Sequence, residues 1–528
     1  MTTVGEALIH LLEAHGVDTV FGIPGVHTIE LYRGLAASRI RHITPRHEQG
    51  AAFMADGYAR ASGKAGVAFV ITGPGLTNAL TAMAQARADS IPMLVISGVN
   101  RLDTLGLGLG YLHELPDQRG MAEKVALFSH RLTDPSDLPG VLDRAFALFE
   151  TGRPGPVHIE VPLDVMGLEA GIATGVVAGG AGQPPEPDAA AIAGAAELLS
   201  ASSHSLILAG GGARHCDLEL RDLAEGLGAP VVTTVNGRGL LHRHPLGVHA
   251  SPSLKAVRAL MADADLVLAV GTEFGPTDYD MYADGGFVLP PNLIRIDIDA
   301  AQLAPHPSTV SIRADSRHAV NALRAALDLP VRTGAQKGAD RAAACRDAAW
   351  NEIGPALRAQ ARAVEAIRDA LPHTLIVGDS TQPVYAANLF YDHDRPGGWF
   401  NAATGYGALG YGPPAAIGAA FARPGEPVVC LTGDGGFQFT LPEIAVAVEH
   451  RLPVIFVVWN NRGYREIEVS MRDAGVEPVG VSPAPPDFVV LAQAYGIAAE
   501  RLDGAADLGG ALRRARAAGG PALIELMI

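Results

Sequence analysis

An α/β protein of three doubly wound domains with mainly parallel sheets is the fold class this sequence predicts. Short, nearly unbroken apolar runs rich in Val and Ile recur at 67–71, 93–96, 157–161, 205–208, 231–234, 266–270, 293–298, 375–377, 428–431, 454–459 and 522–526. That is the pattern of strands buried on both faces in parallel sheets. Between them lie Ala/Leu/Arg-rich stretches of helical period, such as 77–88, 217–227, 414–422 and 442–451, and sustained strand–helix alternation specifies α/β. The 62 Gly and 37 Pro among 528 residues supply the tight turns this alternation needs.

Composition excludes several classes. With 48% apolar and 18% charged residues, the chain is neither disordered nor a coiled coil. A formal charge of −16 and no basic tract give nucleic-acid binding no electrostatic support. Cys216, Cys345 and Cys430 form no CxxC and point to a reducing compartment. Residues 1–12 read as an amphipathic helix rather than a signal peptide, and no apolar run approaches the ~20 residues of a membrane span. The expectation is a cytoplasmic protein. At roughly 150 residues per domain the length implies three or four. Gly/Pro/Ala-rich stretches at 169–190 and 329–340 place expected domains at 1–170, 185–330 and 341–528.

Along the chain, the first candidate is Glu48 in Arg46-His47-Glu48-Gln49-Gly50, shortly after Phe21-Gly22-Ile23-Pro24-Gly25. On its own it is a carboxylate favoured at a helix N-terminus. His27 and His113 stand near glycine or proline turns, where a histidine serves as surface, core or proton donor alike. Gly73-Pro74-Gly75-Leu76-Thr77-Asn78 follows a strand and opens a helix with Thr as its expected cap. The glycine run 210–212 does not by itself distinguish a dinucleotide site from a strand-end turn. His242, His244 and His249 lack a neighbouring acidic or thiol ligand in sequence and read as a solvated loop.

The last third is more specific. Strand 428–431 runs into Gly433-Asp434-Gly435-Gly436, and strand 453–459, beyond a helical stretch, ends in Asn460-Asn461-Arg462-Gly463-Tyr464. If the two strands are neighbours in a parallel sheet, Asp434 and Asn461 meet at the edge where such sheets bind ligands. Both offer hard oxygens suited to Mg²⁺, and the glycines let backbone N–H groups approach a phosphate. Each fragment alone is an ordinary turn; the combination carries the functional reading.

The combination resembles the diphosphate-and-metal signature of thiamine-diphosphate enzymes, and the likeness spans almost the whole chain. It matches the 2-oxo acid decarboxylases and acetohydroxyacid synthases. The resemblance implies pyrimidine-binding, central and diphosphate-binding domains in that order, with thiamine diphosphate and Mg²⁺ as cofactors. Asp434, Asn461 and the Gly463 carbonyl would hold Mg²⁺, while Gly433, Gly435, Gly436, Ser380, Thr381, Gln382 and Tyr464 would line the diphosphate. Glu48 would hydrogen-bond N1′ of the aminopyrimidine and so promote loss of the thiazolium C2 proton. Leu409 would wedge between the cofactor's rings, with the Gly407 carbonyl accepting from its amino group. Active sites would lie between chains of a homodimer or homotetramer. Some relatives bind FAD in the central domain.

The resemblance is nearest to decarboxylases acting on 5-guanidino-2-oxopentanoate, through residues 25–34 and 112–118. The paired histidines of pyruvate decarboxylases are missing, and Ile71 falls near the position of the benzoylformate-decarboxylase histidine, leaving His27 and His113 as candidate catalytic proton donors. Glu114, Asp278, Asp280 and Glu466 are acidic candidates for a guanidinium. The expected reaction is non-oxidative decarboxylation of a 2-oxo acid to an aldehyde and CO₂; the alternative is an acetolactate synthase-like carboligase. Intact Glu48, Asp434 and Asn461 argue against a retired member of the fold. No G-x-G-x-x-G follows the first strand, which argues against a nicotinamide enzyme.

Overall fold

The computed structural model describes residues 2–171, 182–281, 284–327 and 335–528. Much of the two expected linkers, 172–181 and 328–334, therefore lies outside the described residues. The chain forms three six-stranded sheets whose ladders are all parallel. The first contains β1 (Thr19–Gly22), β2 (Arg41–Ile43), β3 (Gly66–Val70), β4 (Met93–Val99), β5 (Phe128–Arg131) and β6 (Pro156–Pro162), ordered β2-β1-β3-β4-β6-β5. The second contains β7 (Ser205–Ala209), β8 (Val231–Thr233), β9 (Gly247–Val248), β10 (Leu266–Val270), β11 (Leu293–Asp297) and β12 (Val310–Arg313), ordered β12-β11-β10-β7-β8-β9. The third contains β13 (Leu375–Gly378), β14 (Trp399–Asn401), β15 (Val428–Gly433), β16 (Val454–Asn460), β17 (Ala498–Asp503) and β18 (Ala522–Met527), ordered β14-β13-β15-β16-β18-β17.

Every apolar run read as a strand is one. The first and third sheets repeat one strand order, whereas the second has the order of dinucleotide-binding folds. The N-terminal helix Val4–Ala14 is opened by a capping box between Thr3 and Glu6. The helix expected at 77–88 starts earlier, at Pro74, with Gly73 rather than Thr77 at its cap; proline suits a first helical position because it has no N–H to satisfy. The stretch 442–451 divides into a 3-10 turn, Leu441–Glu443, and the helix Ile444–Glu449.

The first and third domains share one core. Helix Glu48–Ser62 crosses helix Gly412–Ala422 so closely that a Cβ on Gly57 would lie 1.9 Å from the Ala415 carbonyl oxygen, and one on Gly418 would lie 1.9 Å from that of Met54. Phe53, Met54, Tyr411 and Ile417 are buried together around this crossing. Beside it, buried Arg60 bridges Asp56 (2.6 Å) and Asp89 (2.7 Å), and the Tyr411 hydroxyl donates to Asp56 (2.6 Å). Helix Ala335–Glu352 packs on the central domain through Ala342, Cys345 and Ala349. All three cysteines are free and buried, and burial pushes the Cys216 and Cys345 thiols up to about 12 and about 11. Among the described residues no helix is long and apolar enough to cross a membrane.

Candidate active site

The expected neighbours are neighbours: β15 pairs with β13 on one side and β16 on the other. Their carboxyl ends bring Asp379, Asp434 and Asn461 to one edge. Asp434 opens helix Asp434–Phe439 and is 2% exposed. Burial raises its pKa, against nearby backbone N–H groups including those of Gly435, Gly463 and Asn461. Tyr464 lies across Gly435, where a Cβ would meet its ring at 2.4 Å, and a Cβ on Gly463 would meet the Val481 carbonyl oxygen at 2.5 Å. Thr381 flanks Gly433, and the Asp379 carboxylate lies beneath Gly436.

A chain of amides fixes which oxygen faces this edge. Gln382 donates through Nε2 to Glu466 Oε1 (2.9 Å), and its Oε1 accepts from Trp459 Nε1 (3.4 Å) and Asn461 Nδ2 (3.0 Å). A carboxylate only accepts and an indole only donates, so both amide orientations follow. Asn461 Oδ1 is thereby left free. Asn461 Oδ1 and Asp434 Oδ2 are both buried with no hydrogen-bond partner among the described residues, a costly arrangement that an oxygen-seeking cation would relieve. Among the described residues no group of three His, Cys, Asp or Glu side chains could hold a metal. The donor set here, one carboxylate oxygen and one amide oxygen, suits Mg²⁺ rather than Zn²⁺.

Asp379, to which sequence reading assigned no role, is fully buried and saturated with donors: Ser380 N (2.8 Å), Gly410 N (3.2 Å), Gly412 N (3.1 Å) and Thr432 Oγ1 (3.5 Å). Burial pushes its carboxyl up to about 6, against those bonds. Gly410 and Gly412 lie in the turn that also carries exposed Gly407 and half-buried Leu409.

A second group gathers at the corresponding edge of the first sheet. Glu48 is the first residue of its helix, and its Oε2 accepts from Asn78 Nδ2 (2.9 Å). His27 is buried with Nε2 3.2 Å from Asn100 Oδ1, and its ring lies 5.4 Å from that of His113. Asn100 Nδ2 donates to Leu112 O (3.3 Å), so its oxygen faces His27, which carries its proton on Nε2 and leaves Nδ1 bare. Nδ1 of both histidines is buried without a hydrogen-bond partner among the described residues. Burial lowers the His27 pKa, against its bond to Asn100. Beside Glu48, buried Glu443 accepts from the backbone of Arg46 and His47, and burial pushes it up to about 7. Asn78, Asn100 and Glu443 were not singled out from sequence; only Asn78 had a signal, at the end of the Gly-Pro-Gly turn. Among the described residues no hydrogen bond or ion pair joins this group to Asp434 or Asn461 within one chain.

Of the four acidic candidates, one lies at the third sheet's edge: Glu466, bonded to Gln382. Glu114 accepts from the backbone N–H groups of Gly108, Leu109, Gly110 and Tyr111 and organises its own loop. Asp280 pairs with Arg258. Asp278 accepts from Val235 N and lines a separate cavity of about 390 Å³ beside Gly210, Gly211 and Gly212. The three central histidines also differ from expectation. His244 meets Glu225, whereas His242 and His249 flank Asp392 at 2.9 and 3.3 Å, an acidic neighbour distant in sequence that only folding supplies.

Three family models match in chain order: the thiamine pyrophosphate enzyme N-terminal TPP binding domain over residues 2–121, the central domain over 192–323 and the C-terminal TPP binding domain over 379–526. The chain is 45% identical to a probable 2-ketoarginine decarboxylase, AruI, of Pseudomonas aeruginosa, across 99% of this chain and 94% of that protein. It is 32% identical to a probable acetolactate synthase large subunit of Methanocaldococcus jannaschii, covering 99% and 91% of the two chains. It is likewise 32% identical to the Escherichia coli acetolactate synthase isozyme 3 large subunit, covering 94% and 89%.

Proposed function

Because the chain belongs to the thiamine pyrophosphate enzyme family, we propose that it catalyses non-oxidative decarboxylation of a 2-oxo acid to an aldehyde and CO₂, with 5-guanidino-2-oxopentanoate as its preferred substrate. The carrying observation is the pair of unpartnered buried oxygens, Asp434 Oδ2 and Asn461 Oδ1, at adjacent strand ends. They and the Gly463 carbonyl would hold Mg²⁺. The backbone of Gly433, Gly435 and Gly436, with Ser380, Thr381, Gln382 and Tyr464, would hold the diphosphate; Gly407 and Leu409 would face the rings. Thiamine diphosphate, when bound, supplies the carbon nucleophile and electron sink that 2-oxo acid decarboxylation requires.

The protein's own groups orient and move protons. Glu48, braced by Asn78, is the carboxylate that partners the aminopyrimidine, reaching the diphosphate site of a second copy in a homodimer or larger homo-oligomer. His27 receives and delivers a proton at Nδ1, the bare nitrogen left by its bond to Asn100, and the His113 ring lies tilted beside it. Burial keeps His27 neutral near pH 7, so once protonated it gives the proton up readily. Glu466 supports the cationic substrate as the acidic candidate at this edge.

A panel of 2-oxo acids with thiamine diphosphate and Mg²⁺, following CO₂, aldehyde and acetolactate, tests the reading. The guanidino acid is expected to exceed pyruvate in kcat/KM by roughly ten- to a hundred-fold, and Glu466→Gln to remove most of that preference while sparing pyruvate. Rapid acetolactate formation from pyruvate, with no aldehyde from any acid tested, overturns the decarboxylase reading.

A further inference from the structure

The turn 402–412 has little conformational preference of its own. Gly407 and Gly410 both have positive φ, +75° and +80°, and its internal closure is the bond from Gly407 N to Ala402 O (3.1 Å). It is nevertheless gripped on both sides of Leu409. From the first domain, the Gln85 carboxamide, 0% exposed, accepts from Ala408 N (3.2 Å) and donates to Ala402 O (3.3 Å), while Asp89 orients it (2.8 Å). Asp89 also accepts from Thr404 Oγ1 (2.6 Å) within the same turn. From the third domain, Asp379 accepts from Gly410 N and Gly412 N.

Asp379 is an odd choice for structure alone. Among the described residues no cation pairs with it, and burying an unpaired carboxylate costs several kcal/mol even when backbone N–H groups solvate it. It does what a neutral side chain does not, accepting through both oxygens at once. An Asn at this position turns an NH₂ toward one pair of the donors. The prolines at 413 and 414 carry no N–H, so the Gly412 amide is the helix's first available donor, and Asp379 takes it.

Resting on the functional reading above, we propose that Gln85 and Asp379 are positioning residues of the active site. By holding the N–H groups immediately before and after Leu409, one from each domain, they fix how this turn meets the cofactor. This grip ties the first domain of a chain to the diphosphate site of that same chain, separately from Glu48.

Amide hydrogen exchange on the cofactor-free protein tests the grip. In Asp379→Asn, whichever of Gly410 and Gly412 faces the new NH₂ should exchange at least about tenfold faster, and in Gln85→Leu so should Ala408, with 415–421 unchanged. With thiamine diphosphate and Mg²⁺, each variant should bind the cofactor within about fivefold of the parent by calorimetry. In each, kcat should fall at least about tenfold with KM little changed. Unchanged amide protection overturns the proposal, and so does faster exchange with unchanged kcat, which leaves the two residues merely structural. If one variant fails to fold, the other is read alone. Failure of the parent protein to bind thiamine diphosphate would instead sink the functional reading, while the exchange data still decide the grip.

Discussion

Gly418→Ala probes the crossing on which the first and third domains meet. The added Cβ would stand 1.9 Å from the Met54 carbonyl oxygen, whereas ordinary contact begins near 3.4 Å, so the helices must part by roughly 1.5 Å. The obstacle is helix backbone, which cannot swing aside as a side-chain tip does. Separation would stretch the 2.6 Å bond from Tyr411 to Asp56 and loosen the packing around Phe53 and Ile417. Overpacking of this kind costs about 1–3 kcal/mol, and a weakened buried hydrogen bond adds about 1 kcal/mol; about 3 kcal/mol is expected. Gly194→Ala is the control, a helical glycine with nothing within 4 Å of the new Cβ, where the same change should stabilise by about 0.5–1 kcal/mol. Urea unfolding followed by tryptophan fluorescence reads both. If Gly418→Ala unfolds within about 0.5 kcal/mol of the parent, the crossing does not carry the load assigned to it.

Glu48→Gln keeps the bond to Asn78 but not the charge; cofactor binding should persist while turnover falls about 10²-fold or more, checked by calorimetry beside steady-state kinetics. Asp434→Ala should abolish Mg²⁺-dependent retention of thiamine diphosphate with little change in the unfolding midpoint, and undiminished calorimetric binding refutes the metal assignment. Glu443 has a folded-state pKa of about 7 against 4.5 in the unfolded chain. The folded state therefore binds the extra proton between those values, and this contribution, at most about 3 kcal/mol, is present below about pH 4.5 and lost as pH rises through 7. Glu443→Gln should flatten the stability profile across that window, measured by urea midpoints at several pH values.

What the sequence left unread follows from exposure and length. The strands missed were β1, at four residues, and the six that form sheet edges. Edge strands bury less of each side chain, so β2, β12 and β17 mix exposed with half-buried positions, β5 is largely half-buried, and none shows a continuous apolar run. β9 and β14 are buried but only two and three residues long. The meeting of Asp434 and Asn461 at one sheet edge was legible because they end adjacent strands whose spacing is visible in one dimension. Gln85 and Asp379 were not, since their partners at Ala408 and Gly410 lie 323 and 31 positions away and are backbone groups that leave no compositional mark. The same holds for Asp392 between His242 and His249.

The three thiols amount to a built-in recorder of breathing motions. Each is buried and held in its protonated, unreactive form by burial, with Cys216 bonded to Ala213 O and Cys345 to Ala256 O. An alkylating reagent can reach them only when the surrounding domain opens. Peptide-resolved labelling rates would then separate the central domain, through Cys216 and Cys345, from the third domain, through Cys430 on β15. The first domain carries no cysteine and stays silent, so a single cysteine placed in its core would complete the set without any background to remove.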